Sequence, residues 1–310
     1  MDTQPFDLGK VRTYSLFERP SKVSINDLGV PIGPNQSISD WIESLPKQLA
    51  AVELRRVRDY TIERYKEGRI IAVAIGGHVI KTGCAPYLID LMRHGIIRAL
   101  AINGAAAIHD FELAYAGKTS EDVATQLQKG DFGMARETAT IFAESARWAA
   151  THQHGLGYSL GKLMEEQWRC PYAAKSLLVS AYRMNIPCTV HIAIGTDIVH
   201  MHPQIDASSL GISALLDFKI LCSIVSKMYR GIWYNIGSAV IMPEIFLKAV
   251  ALAKNCNYNL DELITVNFDK ESKYRTAANV LKRPATEGIE IIGHHELLIP
   301  LWYAMIISKL

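Results

Sequence analysis

RIIAVAIGGHVIKTGCAPYLIDLMRHG, residues 69–95, decides how the rest of the chain is read. Its first part, Ile70 to Ile75, is β-branched and alanine-rich, the composition of a strand buried on both faces. Gly76 and Gly77 then allow a sharp bend or a close backbone approach to a ligand. From Pro86 onward, Leu88, Ile89, Leu91, Met92 and Ile96 recur at helical spacing, with Asp90 and Arg93 off that stripe. A helix beginning above such a turn points its free N–H groups at whatever lies there, and that favours an anion. The same glycines also serve a bare strand-to-helix turn.

The pattern repeats outward. Residues 1–40, rich in Pro, Ser, Asn and Asp, read as an N-terminal arm. A helix opens at 39–43 with Ser39 as a candidate cap, and a long helix is expected over 47–66. Strands are expected at 70–75, in IIRALAING, in CTVHIAI, in GIWYNIGSAV, in ELITVNF and in GIEIIG. Helical stretches at 86–95, 132–151, 208–228 and 243–255 alternate with them, and the C-terminal HHELLIPLWYAMIISKL reads as a docked final helix. Alternation of this kind predicts an α/β fold, Rossmann-like and doubly wound, with a mainly parallel sheet and helices on both faces. No Pro-, Gly- or Ser-rich linker divides residues 41–310, which are expected to form a single domain.

A net charge of +2 and 21% charged residues give no reason to expect nucleic acid or an anionic membrane as partner. The five cysteines, Cys84, Cys170, Cys188, Cys222 and Cys256, are odd in number and form no C-x-x-C pair, which argues against a disulfide framework or a zinc ribbon. The N-terminal MDTQPFDLGK lacks a signal-peptide core, and no stretch approaches the roughly 20 apolar residues of a spanning helix. The expectation is a cytoplasmic protein with no membrane partner.

Several expected strands end in small, polar or acidic residues: Gly76-Gly77-His78, Asn103-Gly104, Gly195-Thr196-Asp197, Gly237-Ser238 and Asn267-Phe268-Asp269. In an open α/β sheet those ends line the ligand crevice. Asp197 suits a ribose hydroxyl or an ammonium group, or a plain turn. His200 and His202 have the spacing of two metal ligands on one strand face, although Pro203 follows at once. His109-Asp110 follows a run of alanines that permits either a ligand or a tightly packed helix. Lys282, beside Arg283 and among apolar neighbours, is a candidate amine nucleophile. There is no G-x-S-x-G, Walker or H-E-x-x-H sequence.

Taken in order, these motifs resemble the deoxyhypusine synthase family over roughly residues 60–300. GGHVIKTGCAPYLIDLM is similar to that family's first strand–turn–helix, and ALAINGAAAIHDFELAYAG to its T-T-A-G-G-V-E-E-D segment. NIPCTVHIAIGTD is similar to N-x-I-P-V-F-x-P-A-L-T-D, and IGSAVI stands where the family has G-G-G-V-V-K. The resemblance implies NAD as cofactor, held by Gly76, Gly77, His78, Thr82, Asn103, Gly104, Thr196, Asp197, Gly237 and Ser238. It places Lys282 on the family's catalytic lysine of W-G-K, which carries an imine to an aminobutyl group, and implies His109, His202 and Asp269 as substrate-binding residues.

The departures bear on the substrate. Val280 and Leu281 replace the Trp and Gly before the lysine, and Thr276 replaces an acidic residue. His202 stands for a substrate-binding Asp, and Met242-Pro243-Glu244 for K-H-H. Losing carboxylates weakens the grip on a polyamine's ammonium groups. The resemblance therefore implies an NAD-dependent, aminoalkyl transferase-like enzyme for an amine or carbonyl substrate other than spermidine, assembled as a homotetramer. The alternatives are a metal-dependent hydrolase using His200 and His202, or a non-catalytic ligand-binding protein of the same fold.

Overall fold

The computed structural model describes residues 3–310. Its centre is a six-stranded, all-parallel sheet of β1 (Ile71–Ile75), β2 (Ala99–Asn103), β3 (Cys188–His191), β4 (Ile232–Ile236), β5 (Ile264–Asp269) and β6 (Glu287–Ile292). The spatial order is β3-β2-β1-β4-β5-β6, so the winding reverses between β1 and β4. That reversal is where a doubly wound sheet opens its ligand crevice. All six strands fall at stretches expected from the sequence, four of them inside the expected bounds, while β5 runs one residue further to Asp269 and β6 begins one residue earlier at Glu287.

Strand residues alternate between two cores. Ile71, Val73 and Ile75 face one, shared with α2 (Leu49–Lys66), α4 (Ala85–Arg93) and α13 (His295–Ile307). Ala72, Ala74, Ala99 and Ala101 face the other, where α10 (Ala207–Val225) and α11 (Ile241–Asn255) pack. Small side chains there let those helices approach the sheet closely, while Trp233 stacks on Phe246 with ring centroids 4.2 Å apart. Burying one such large side chain contributes about 1.5–3 kcal/mol.

The remaining helices are α1 (Ile38–Ser44), α3 (Gly77–Lys81), α5 (Gly104–Ala116), α6 (Val123–Lys129), α7 (Arg136–His152), α8 (Leu156–Glu166), α9 (Leu177–Arg183) and α12 (Tyr274–Thr276), the last running into a π-helix over Ala277–Lys282. The cap of α1 is Ser37, whose hydroxyl accepts from the Asp40 N–H in a capping box; Ser39, the residue expected in that role, lies inside the helix. α5 was not anticipated as a helix. Its Asn103 cap and the αL Gly117 at its end bound the alanine run.

α10 also corrects an expectation. It is 19 residues long with a mean hydropathy of 1.6, long and apolar enough to cross a membrane by length and composition. Here it packs against β3, α7 and α11, and carries the fully buried Asp217. That carboxylate accepts N–H groups from Gly157 and Val190, as a helix packed within this fold would. Before α1, the chain runs as an arm with Phe6, Tyr14 and Phe17 exposed. It is tied to the turn before α2 by Val30 N–H to Ser44 O and Lys47 N–H to Asp27 O.

Candidate functional site

At the strand C-termini the glycines are dictated by contact. The Gly76 N–H donates to Ile236 O, and a Cβ at Gly76 would lie 2.1 Å from Gly237 O. Gly237 itself has φ +64°, and a Cβ there would meet His295 Cε1 at 2.8 Å. A Cβ on Gly77 would lie 3.1 Å from His109 Cδ2 and 3.2 Å from Ala105 Cβ, so α3 rests directly on α5. Bare backbone at these points lets the β1, β2 and β4 turns converge.

Beside them opens a cavity of about 450 Å³ over the ends of β1, β2 and β3. Ile108, Val123, Phe132 and Ile198 give it apolar walls, and Lys81, His109, Glu112, Lys118, Thr196 and Asp197 supply polar groups. His109 is held by a chain of bonds. The Thr119 hydroxyl donates to Glu112 Oε2 at 2.5 Å, and its oxygen lies 2.7 Å from His109 Nδ1. Since that hydroxyl hydrogen is committed to the carboxylate, His109 Nδ1 must donate, which in the neutral ring leaves Nε2 as an acceptor. Thr138 donates to the other Glu112 oxygen at 3.1 Å. Burial raises the Glu112 pKa, but the nearby His109 ring, 3.8 Å away, and the bonds from Thr119 and Thr138 outweigh it and hold the carboxyl below its ordinary value.

Asp197 lies against the start of α5, where a Cβ on Gly104 would be 2.3 Å from its Oδ2. That oxygen accepts the Ala193 N–H at 2.9 Å. Burial pushes the Asp197 pKa up, opposed by the Ala193 N–H and His200. β2 itself ends in Asn103, whose side chain accepts the Ala106 N–H at 2.9 Å and is thereby committed to capping α5. The carboxylate beside α5 is thus brought over from the loop after β3.

The structure gathers only part of the expected set. His109, Thr196 and Asp197 share the cavity, next to Gly77 and Gly104. Thr82 donates back to His78 O at 2.9 Å, and Ser238 accepts from the Met242 N–H at 3.2 Å, so both hydroxyls serve local turns. Buried Asp269 sits at the end of β5, on the other half of the sheet from His109. His202 Nε2 lies 2.7 Å from Gly133 O and fastens the segment before α7 beside the cavity. His200 Nδ1 instead accepts the Gly195 N–H at 3.3 Å. The two histidines do not converge, and among the described residues no group of three His, Cys, Asp or Glu side chains is placed to hold a metal ion.

Lys282 is exposed at the end of the π-helix. Val280 O accepts from Thr265 near the start of β5, and Leu281 packs on Gly288 near the start of β6. This puts Lys282 at the N-terminal edge of the sheet, away from the crevice within this chain. The sequence reading missed Lys81, Glu112, Thr119 and His295. The first three lie in a cavity walled by segments distant in sequence. His295 sits at the start of α13, where His78 Nδ1 is 2.9 Å from its Nδ1.

Comparison with protein-family models and with curated protein sequences finds no match. Among solved structures, ArgZ, an arginine dihydrolase from the ornithine–ammonia cycle in cyanobacteria, superposes with a TM-score of 0.54 at 16% identity, covering 86% of this chain and 34% of that one. AgrE, solved as a ternary complex with ornithine and NAD+, gives 0.56 at 14% identity over 83% of this chain and 33% of its own. A protein provisionally named as a deoxyhypusine synthase from Entamoeba histolytica gives 0.53 at 12% identity, covering 90% and 96%. The chain spans about a third of the length of ArgZ and AgrE. At such identities the likeness shows the fold alone, a Rossmann-like α/β fold shared with these structures.

Proposed function

We propose that this chain binds NAD across the C-terminal edge of its sheet and acts on an amine. The observation that carries the reading is the cavity on the β1–β2–β3 half, with Asp197 pressed against the start of α5. In doubly wound sheets of this strand order the first half takes the adenosine end of a dinucleotide, and a carboxylate near the second strand binds ribose hydroxyls. The residues fit that role. Ile108, Val123, Phe132 and Ile198 offer walls for a planar base, and Asp197 accepts from the ribose. His109 Nε2 accepts an N–H or O–H of the nucleoside, and Lys81 and Lys118 supply positive charge for phosphate.

Once bound, NAD would supply a hydride acceptor. The chain's own contribution is to hold the nucleotide on the first half and present the amine over the second, where Asp269 ends β5. AgrE, about a third of whose length is matched here, was solved with both ornithine and NAD+, and that pairing of ligands in a structural neighbour supports the reading. The exposed apolar arm at residues 6–17 fits a homo-oligomer. The test is a calorimetric titration of NAD into wild-type protein and Asp197→Asn. Wild-type binding weakened by about tenfold or more in the variant is expected from loss of charge-assisted bonds worth about 1.5–3 kcal/mol. Absence of NAD binding to the wild type would refute the reading. Where NAD binds, NADH formation with a panel of amines tests the second half.

A further inference from the structure

His78 and His295 meet at the reversal point of the sheet. His78 follows β1 and is exposed, whereas His295 is buried at the start of α13. Their Nδ1 atoms are 2.9 Å apart, and His295 Nε2 lies 3.3 Å from Phe268 O, one residue before Asp269. A carbonyl oxygen only accepts, so His295 Nε2 carries the hydrogen on that contact. In a neutral ring His295 Nδ1 then holds a lone pair, and the hydrogen between the rings belongs to His78 Nδ1. His78 is left with its Nε2 lone pair free at the crevice. Neither ring has a carboxylate hydrogen-bond partner among the described residues. Gly237 leaves the space that the His295 ring needs, since any Cβ there would meet Cε1.

We propose that His78 is the proton acceptor for the amine substrate and that His295 is the positioning residue that fixes its tautomer and ring plane. The inference rests on the NAD-and-amine reading above. The step is one proton transfer: an N–H bond of the substrate ammonium breaks, its electron pair stays on the amine nitrogen, and an Nε2–H bond forms on His78. The resulting imidazolium keeps its Nδ1–H bond to His295. A hydride can leave the adjacent carbon only after the nitrogen has gained that lone pair, which gives the base its place in the sequence of events. The surroundings suit a base. Burial lowers the His78 pKa, and His295, Lys81 and Lys270 lower it further against the opposing Glu296. The ring is therefore poised to be unprotonated at neutral pH. Asp269, at the end of β5 and one residue beyond the carbonyl that His295 contacts, is the carboxylate offered to the ammonium before transfer.

The experiment pairs a spectroscopic and a kinetic readout on the full chain. Nitrogen-15 spectra of the imidazole rings should show one ring protonated at Nδ1, coupled through a hydrogen bond to a second ring protonated at Nε2. The coupling should vanish in both His78→Gln and His295→Leu, while the ring protonated at Nε2 should persist in His78→Gln, held by Phe268 O. In amine-dependent NADH formation, His78→Gln should lower kcat by about 10²–10⁴-fold with little change in NAD affinity. His295→Leu should lower kcat less, and His295→Gln should restore most of it, since a glutamine amide can donate to Phe268 O and accept from His78. A His78 ring protonated at Nε2, or a His78→Gln protein with wild-type kcat, would overturn the proposal. Wild-type protein that shows the coupled rings but makes no NADH with any amine would overturn the functional reading and the base with it, and that failure is distinguishable from loss of the ring pair.

Discussion

Replacing Asp217 by asparagine should make the protein progressively more stable, relative to wild type, as pH rises. One oxygen of Asp217 accepts the Gly157 N–H at 2.9 Å and the Val190 N–H at 2.8 Å, capping α8 and satisfying the outer edge of β3. The other has no partner, and a Cβ on Gly155 would lie 1.9 Å from it. Burial pushes the pKa from 3.8 to about 7, against the opposing N–H groups of Val190, Gly157 and Leu156. The unfolded chain thus releases its proton at lower pH than the folded one. This contribution to stability is fully present below the unfolded pKa and is lost as pH rises through the folded pKa. Linkage between those two values makes the wild type lose roughly 2–3 kcal/mol from about pH 5 to about pH 7.5.

Asparagine does not titrate, and its carbonyl oxygen can take both N–H bonds. Asp110, raised by burial to about 6, titrates in both proteins and cancels in the difference. Urea unfolding of the two proteins, followed by circular dichroism at both pH values, measures the gap. The gap should shift in favour of the variant by roughly 2–3 kcal/mol between the two pH values. A gap that is flat, or that moves the other way, would refute the claim that burial outweighs the hydrogen bonds at this carboxylate.

Gly76→Ala forces a Cβ to within 2.1 Å of the Gly237 carbonyl, and the backbone must move. A loss of about 1–3 kcal/mol in urea unfolding is expected, and an unchanged midpoint would show that the turns are not held by this contact. Gly104→Ala drives a Cβ into the Asp197 carboxylate and should weaken NAD binding in calorimetry; full affinity in a folded variant would detach Asp197 from the nucleotide. Lys282→Ala, at an exposed position on the opposite edge of the sheet, should leave NAD affinity intact and stability within about 0.5 kcal/mol of wild type. A large loss of NAD affinity would mean that Lys282 reaches a crevice, and within this geometry that crevice would belong to another copy.

The sheet was legible because its signal is local. Ile71–Ile75 is an apolar run, and Ile232–Ile236 and Ile264–Asp269 are rich in β-branched and aromatic residues bounded by turn residues, as strands buried on both faces are written. The alanine-rich α5 was harder, since Ala105, Ala106 and Ala107 announce close packing without naming what packs on them. The site was legible only where one loop carries it, as at Thr196-Asp197. Glu112 and Thr119 act through His109, and His295 acts through His78 from 217 positions away. No spacing rule joins His78 to His295, because the fold alone brings them together, whereas Glu112 stands three residues after His109 on α5, at ordinary helical spacing. Lys282 illustrates the converse: an apolar neighbourhood in sequence, AANVLK, proved to be a helix running down the β5–β6 connection, with the lysine at its solvent end.

His202 shows how a substituted position can change its work while the fold persists. The resemblance to deoxyhypusine synthases expects a substrate-gripping aspartate there, and an aspartate could not donate to a carbonyl. Histidine can, and its Nε2 lies 2.7 Å from Gly133 O, fastening the segment that carries Phe132 into the cavity wall. Gly133, with φ +75°, is in turn pressed against Ile198 and Met201 from the same loop as Asp197. The position therefore builds the wall of the proposed nucleotide pocket. An ammonium group must then find its carboxylate on the other half of the sheet. Asp269 stands there at the end of β5, one residue beyond the carbonyl that orients His295. The same strand end thus offers a carboxylate for the charged amine and, through the two histidines, a lone pair for its proton.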